Sequence, residues 1–474
     1  MRPAPRGAVG TFAGIFGAAG AMHKTGRKRS KGLMGSIELA VTRYERSPGS
    51  LMEAIQACKG LSALRPGDRI LIKPNLVGWD DSYPVAPYGV YTTSRMVEDM
   101  LSLLKDAGAA KITIGEGSVR RNRKVSTTEV IYRIFGYGYF KERYGVDLVD
   151  LLDGPFTEVH AGGVTLSVST VALEADFFIN MPVLKTHNVT KVSLGLKNLK
   201  GCLHMRSRKL CHQSALPLDF FCSLFADVIR PSLTVLDGIY GLERGPFVPG
   251  TAYRFDTLIA SNDALAVDIA GAKVLGFDGG EVPHIAMCAE RQGRSTSLEG
   301  IVLKGEDLEE RVRPVKWDFD WREDNSGPKM WDRLGVTGIS LPKYDQSLCS
   351  GCAALYNPLL MMITSAYEER AFHGVEVLTG NVTSPTRGFP TTVLFGNCAI
   401  KAHRADRGIG HAVMVPGCPP SIEKIVDSLQ GMGLRPSMEA YRRFRKSLFE
   451  KYRGDTRFDL GHFYLPGSRP PQWD

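Results

Sequence analysis

The chain has 474 residues, about 43% of them hydrophobic, which gives room for more than one core and the ordinary interior of a folded, soluble protein. Its net charge of +9 is dispersed apart from KTGRKRSK at 24–31, and by itself suits a small anionic ligand as well as nucleic acid. No basic–aromatic interleaving or recognition-helix pattern accompanies it, which turns the reading away from nucleic acid. Nine cysteines, an odd number in a long chain, exclude a secreted disulfide scaffold and point to a reducing, cytoplasmic compartment.

The run GAVGTFAGIFGAAGAM near the start is short and glycine-rich, and its stronger basic cluster follows it. Neither a membrane span nor a secretory signal has that form, so residues 1–33 are expected to be a flexible leader, with Met34 a candidate functional start. From residue 36 strands and helices alternate. SIELAVTRY predicts a strand, LMEAIQACKGL a helix, and DRILIKPNLV (68–77) a buried strand. SRMVEDMLSLLKDAGA has helical apolar spacing and leads to the strand KITIGEG (111–117). SVRRNRKVST (118–127) reads as loop, ALEADFFINMPVLK (172–185) contains a strand, and PSLTVLDGI (231–239) and YRFDTLIASND (253–263) are two more. The helix ALAVDIAGAKVLG follows.

Apolar runs alternating with helical patterns define the fold class: α/β, a largely parallel sheet domain followed by a smaller α/β domain. The expected divisions are a substrate-cleft domain over 34–295, a charged, irregular connector with a small strand region over 296–345, a cysteine-bearing domain over 346–435, and a C-terminal helix with a surface tail over 436–474. In the third part NPLLMMITSAYEERAF predicts a helix, VEVLTG, TTVLFGN and HAVMVPG predict strands, and SIEKIVDSLQGMG a helix.

Four cysteines in that part form a constellation. Cys349 and Cys352 stand in CSGC, while Cys398 and Cys418 each follow a predicted strand. The carboxyl ends of parallel strands converge on one crevice, so Cys398 and Cys418 are expected to face the same point. Gly396 and Gly417 leave room there, and Pro419 and Pro420 stiffen the turn. Four thiolates suit a 4Fe-4S cluster or tetrahedral zinc; a CxxC dithiol and inert core cysteines stay open. Cys58, Cys222 and Cys288 read as core, and Cys202 and Cys211, flanked by His204 and His212, fit no compact metal pattern.

CSGC (349–352), FGNC (395–398) and PGCPPS (416–421) resemble the proximal-cluster region of nickel–iron hydrogenase small subunits, and the related quinone-oxidoreductase cluster subunit is similar chiefly at GCPP. That resemblance implies a 4Fe-4S cluster on Cys349, Cys352, Cys398 and Cys418, although the middle spacing departs from the pattern. The larger part resembles the uncharacterised family numbered 362 among domains of unknown function, DUF362. ILIKPNLV (70–77), ITIGEGS (112–118), NMPVLKTHNVTKVSLGLKNLKG (180–201), VLDGIYGLERG (235–245) and SNDALAVD (261–268) carry it. It implies an α/β domain with a polar cleft and redox association, without a reaction.

Read from the residues alone, Lys73, Glu116, Lys185 and Asp237 follow predicted strands and are expected to rim one crevice. Beside them His187, Lys191, Lys197, Asn198 and Lys200, with Asn75, offer cations and amides for a carboxylate or phosphate. His187 suits proton transfer, and Glu116 or Asp237 would orient it or hold magnesium. No P-loop, dinucleotide fingerprint or nucleophile elbow is present. The leading expectation is an iron–sulfur oxidoreductase acting on a small anionic molecule, supplied by an electron-donor protein. A non-redox isomerase or lyase, and a non-enzymatic docking protein, are the alternatives.

Overall fold

ILIK, FFINM and LTVLDGIYGLE carry apolar residues at successive positions, and each becomes a strand buried along nearly its whole length at the middle of one sheet. The computed structural model describes residues 36–78, 85–119, 126–213, 215–246, 250–367, 372–381 and 383–470. The expected leader (1–33) and most of the loop expected at 118–127 lie outside the described residues.

Among the described residues the large sheet has ten strands. Eight lie side by side in the order Ile301–Gly305, Ile37–Arg43, Thr251–Ser261, Leu233–Glu243, Phe177–Met181, Arg69–Pro74, Lys111–Glu116, Asp147–Asp150. Thr251–Ser261 runs antiparallel to both neighbours, and the other pairs on this path are parallel, so the α/β, largely parallel architecture expected from the sequence is present. Val183–His187 lies against Leu233–Glu243 and turns back onto Lys191–Val192. The single strand expected in 172–185 is therefore two, separated at Pro182, which has no N–H to give the ladder.

Alternate residues feed two cores on opposite faces. Ala40, Ile72 and Val235 join the core under helix Ser94–Asp106, whereas Leu39, Val41 and Leu236 join the core around helix Ala264–Val274. A smaller sheet is parallel throughout, in the order Ile339–Ser340, Val375–Thr379, Thr391–Phe395, His411–Val415. Helices Ser350–Ser365, Gly396–His403 and Ile422–Gly431 start close to its cysteine-bearing turns.

The charged stretch 296–345 carries strand in two places: Ile301–Gly305 is the edge strand of the large sheet, and Ile339–Ser340 is the edge strand of the small one. The tail does not trail over the surface. After helix Met438–Glu450 it packs Tyr452, Phe463 and Leu465 into the large-sheet core, with Tyr452 against Tyr88 and Phe463 against Tyr240. Ser94 Oγ donates to the Phe463 carbonyl at 2.6 Å and Leu465 N–H to the Phe135 carbonyl at 3.0 Å, so the backbone of this strap is satisfied as well. No helix among the described residues is long and apolar enough to cross a membrane.

Candidate functional site

Parallel pairing of Arg69–Pro74 with Lys111–Glu116 sets Lys73 and Glu116 side by side at the carboxyl edge of the sheet. Their side chains are 1% and 3% exposed, and Lys73 Nζ lies 2.9 Å from Glu116 Oε1. Glu116 also accepts N–H bonds from Leu76 (2.7 Å) and Gly117 (2.7 Å). Lys73 donates in addition to Asn198 Oδ1 (3.1 Å) and the Pro74 carbonyl (3.0 Å). Lys185 Nζ donates to Asn75 Oδ1 (2.6 Å) and the Val90 carbonyl (2.8 Å), while Asn75 Nδ2 donates to Asn198 Oδ1 (2.9 Å). Asn198 Nδ2 in turn donates to Asn180 Oδ1 at 2.9 Å. The result is one buried network in which every long polar side chain is fixed by at least two partners. Gly201 allows it: a Cβ there would lie 2.5 Å from Lys73 Cε and 2.6 Å from Glu116 Oε1.

The lysine-bearing turn Gly195–Asn198 has no capping side chain of its own. Asp268, on helix Ala264–Val274, supplies one by accepting the N–H groups of Gly195 (2.6 Å) and Leu196 (3.0 Å). Burial raises its carboxyl to about 7 despite those bonds. The Lys197 ammonium makes no hydrogen bond or ion pair among the described residues, and burial with neighbouring Lys200 lowers it to about 8. Burial also lowers Lys200, and lowers Lys185 well below the lysine range with Lys197 adding to it.

His187 Nδ1 accepts from Val189 N–H (3.1 Å) and Thr190 N–H (3.3 Å). Burial first, then Lys197, Lys200 and Lys185, hold the ring well below the usual histidine value, so it is neutral with its proton on Nε2. It can donate to a ligand at Nε2 and has no lone pair free there. His212 is placed differently. Its Nδ1 meets the Gln346 carbonyl at 2.7 Å and its Nε2 meets Lys200 Nζ, an arrangement that also requires the neutral ring, which burial and Lys200 enforce.

The cysteine turns come together at the carboxyl edge of the small sheet. Cys349 is the residue before helix Ser350–Ser365, Cys398 lies in the first turn of Gly396–His403, and Cys418 stands between His411–Val415 and Ile422–Gly431. Asn397 and Gly417 lock two of the turns reciprocally, Asn397 N–H to the Gly417 carbonyl at 3.0 Å and Gly417 N–H to Asn397 Oδ1 at 2.9 Å. Gly396, at φ +86°, faces the third: a Cβ there would sit 3.4 Å from Cys352 Sγ. The Cys352 thiol, followed by the N–H groups of Cys352 and Gly351 and by Lys200, stabilises the Cys349 thiolate and lowers its pKa. Cys352 is raised, by Cys349 first, with Cys398 and Cys418 contributing as charges within reach. Gln213 Nε2 lies 3.3 Å from Cys398 Sγ.

One cavity of about 140 Å³ joins these parts. Lys73, Asn75, Glu116, Lys185, His187, Lys197, Asn198 and Lys200 line it on one side, and Cys349 and Cys418 on the other. Cys352 and Cys398 do not line it. Asp237 and Lys191 are not brought in. Asp237 accepts the N–H (2.7 Å) and hydroxyl (2.8 Å) of Thr93, the residue capping helix Ser94–Asp106, and Lys191 pairs with Glu281 at 3.1 Å and lies over the Phe277 ring. The sequence reading missed Arg208, Lys209 and His212, which also line the cavity from helix Met205–Gln213, and the supporting Asn180, Asp268 and Gln213. The polar face of MRSRKLCHQ was the available signal. Cys202 and Cys211 are fully buried in an apolar cluster, and Cys58, Cys222 and Cys288 are core residues.

Fold and site define an α/β protein with a cation-lined cavity closed by cysteine-bearing turns. Residues 70–273 match the family model described as "Domain of unknown function (DUF362)". The chain is 27% identical over 234 residues to "Thylakoid-associated protein sll1697" of Synechocystis sp., an alignment covering 48% of this chain and 70% of that protein. A solved structure, the lactate racemase apoprotein from Thermoanaerobacterium thermosaccharolyticum, aligns over 89% of this chain and 91% of its own at 10% identity and a TM-score of 0.34, a level that supports no functional inference. The four cysteines lie beyond the residues matched by the family model.

Proposed function

We propose that the protein is an iron–sulfur oxidoreductase of a reducing, cytoplasmic compartment, acting on a small anion bound in the lysine-lined cavity. The observation that carries this reading is the shared cavity: Lys185, Lys197 and Lys200 face the same space as Cys349 and Cys418. The lining has five lysines and Arg208 against the single carboxylate Glu116, and Glu116 is already committed to Lys73. A carboxylate or phosphate would be received by Lys197 and Lys200, and His187 Nε2–H would donate to one of its oxygens.

Cys349, Cys352, Cys398 and Cys418 would hold a 4Fe-4S cluster, which when bound supplies one-electron chemistry. Among the described residues no three His, Cys, Asp or Glu side chains stand at the spacing of one metal ion. Tetrahedral zinc would take its four thiolates on one ion, with Zn–S distances of about 2.3 Å, whereas a cluster takes its four ligands on separate irons. The lowered Cys349 pKa favours the thiolate that ligation needs. Lys209 and the other rim charges would meet an acidic electron-donor protein.

Anaerobic purification followed by iron, sulfide and zinc analysis tests this. Four irons and four sulfides per chain, a dithionite-bleachable absorbance and a spin-resonance signal are expected. Stoichiometric zinc, or neither metal, refutes it. Cys349 at a helix start, with Cys352 as its hydrogen-bond partner, also favours a second reading as a thiol–disulfide pair, which would show as reversible loss of two thiols in metal-free protein.

A further inference from the structure

The cavity lysines are not equivalent. Lys73 is held by Glu116, Asn198 and Pro74, Lys185 by Asn75 and Val90, and Lys200 by His212. Lys209 is exposed at the rim. Lys197 alone is partly buried in the wall and has no acceptor among the described residues. An amine with no hydrogen-bonded counter-charge, beside a second ammonium and with Asp219 acting only at longer range, holds its proton weakly, the setting in which a lysine becomes a nucleophile. Its surroundings supply the rest of what a carbonyl compound needs. Lys200 offers positive charge to a carboxylate, and His187 presents an N–H donor and no competing base.

We propose that Lys197 is an amine nucleophile that condenses reversibly with the carbonyl group of a small 2-oxo carboxylate held in this cavity. The inference rests on the anion-binding half of the reading above and not on the cluster. The unprotonated Nζ attacks the carbonyl carbon, an N–C bond forms, and the C=O π pair moves to oxygen. Proton transfer from nitrogen to oxygen gives the carbinolamine. The nitrogen lone pair then expels the oxygen, protonated, as water and leaves C=N. The sum is amine plus ketone giving imine plus water, with no change of oxidation state. His187 Nε2–H is the donor on the same cavity wall for the carbonyl oxygen. With its pKa near 8, the amine is unprotonated about two orders of magnitude more often at pH 7.5 than an exposed lysine. The imine is an electron sink for breaking a bond at the neighbouring carbon.

The test uses the full chain at pH 7.5 with pyruvate and sodium borohydride, read by intact mass and peptide mapping. One adduct per chain at Lys197, suppressed by sulfate, is expected. K197R should abolish that adduct while still binding sulfate in calorimetry, since the arginine keeps the charge and cannot form an imine. An adduct at Lys185, or labelling spread over exposed lysines, overturns the assignment. Sulfate binding without any Lys197 adduct refutes the nucleophile and leaves the anion cavity standing. Loss of both sulfate binding and trapping removes the cavity reading as well.

Discussion

Replacing Glu116 by Gln tests the buried network at its one anionic member. The substitution keeps size and shape, so no void is made, but it strips the counter-charge from a lysine whose side chain is 1% exposed. Removing one partner of a buried pair costs about 3–5 kcal/mol, because the remaining charge stays out of water. The amide also fits badly. Glu116 accepts from Lys73, Leu76 and Gly117 through both oxygens, and the Gln NH₂ would face one of those donors. E116Q, K73M and the double variant should be unfolded in urea beside the unsubstituted chain. Each single change should lose about 3–5 kcal/mol, and the double should lose clearly less than the two together, since no charge is then left buried. A loss below about 1 kcal/mol in E116Q, or strict additivity, would refute the reasoning.

Three further outcomes follow from the same structure. G201A should destabilise by roughly 1–3 kcal/mol in thermal denaturation, because its methyl would enter the space held by Lys73 and Glu116. F463A should cost about 3–5 kcal/mol in urea unfolding, since Phe463 is fully buried; a change within 0.5 kcal/mol, the usual range for about any surface site, would return the tail to the surface. Sulfate affinity, followed by calorimetry, should be level below pH 7 and weaken by up to about tenfold per pH unit above 8, because Lys197 keeps its proton below a pKa of about 8 and loses it above. A level affinity from pH 6.5 to about 9.5 contradicts that assignment.

The strands were legible because each central one carries a run of apolar residues, and Lys73, Glu116 and Lys185 were placed at a crevice from strand ends alone. Their pairing was not legible. Lys73 and Glu116 are 43 positions apart, and which strand lies beside which is decided by the sheet as a whole. Asp237 shows the limit from the other side. It follows the same kind of apolar run, yet its carboxylate is spent on Thr93, and nothing in VLDGI distinguishes a capping acid from a cleft acid. The bounds of Ile301–Gly305 and the sheet it joins were hidden because an edge strand, mostly exposed, lacks the continuous apolar signature. The tail was misjudged because charges and prolines surround aromatic residues that pack individually against Tyr88 and Tyr240.

What ties the lysine wall to the cysteine wall is a short chain of contacts through helix Met205–Gln213. Lys200 meets His212, His212 meets the carbonyl of Gln346, and Gln346 returns Oε1 to the Leu218 N–H at 3.1 Å. Three residues beyond Gln346 stands Cys349, and one residue beyond His212 stands Gln213, whose amide reaches Cys398. The Cys349 turn is thus tied to helix Met205–Gln213 by half-buried polar contacts and the Cys398 turn by an exposed one, and such contacts hold position through direction as apolar packing does not. An anion drawing on Lys200 would compete for the ammonium that His212 uses, so occupancy of the lysine wall and the placement of Cys349 act on a common group.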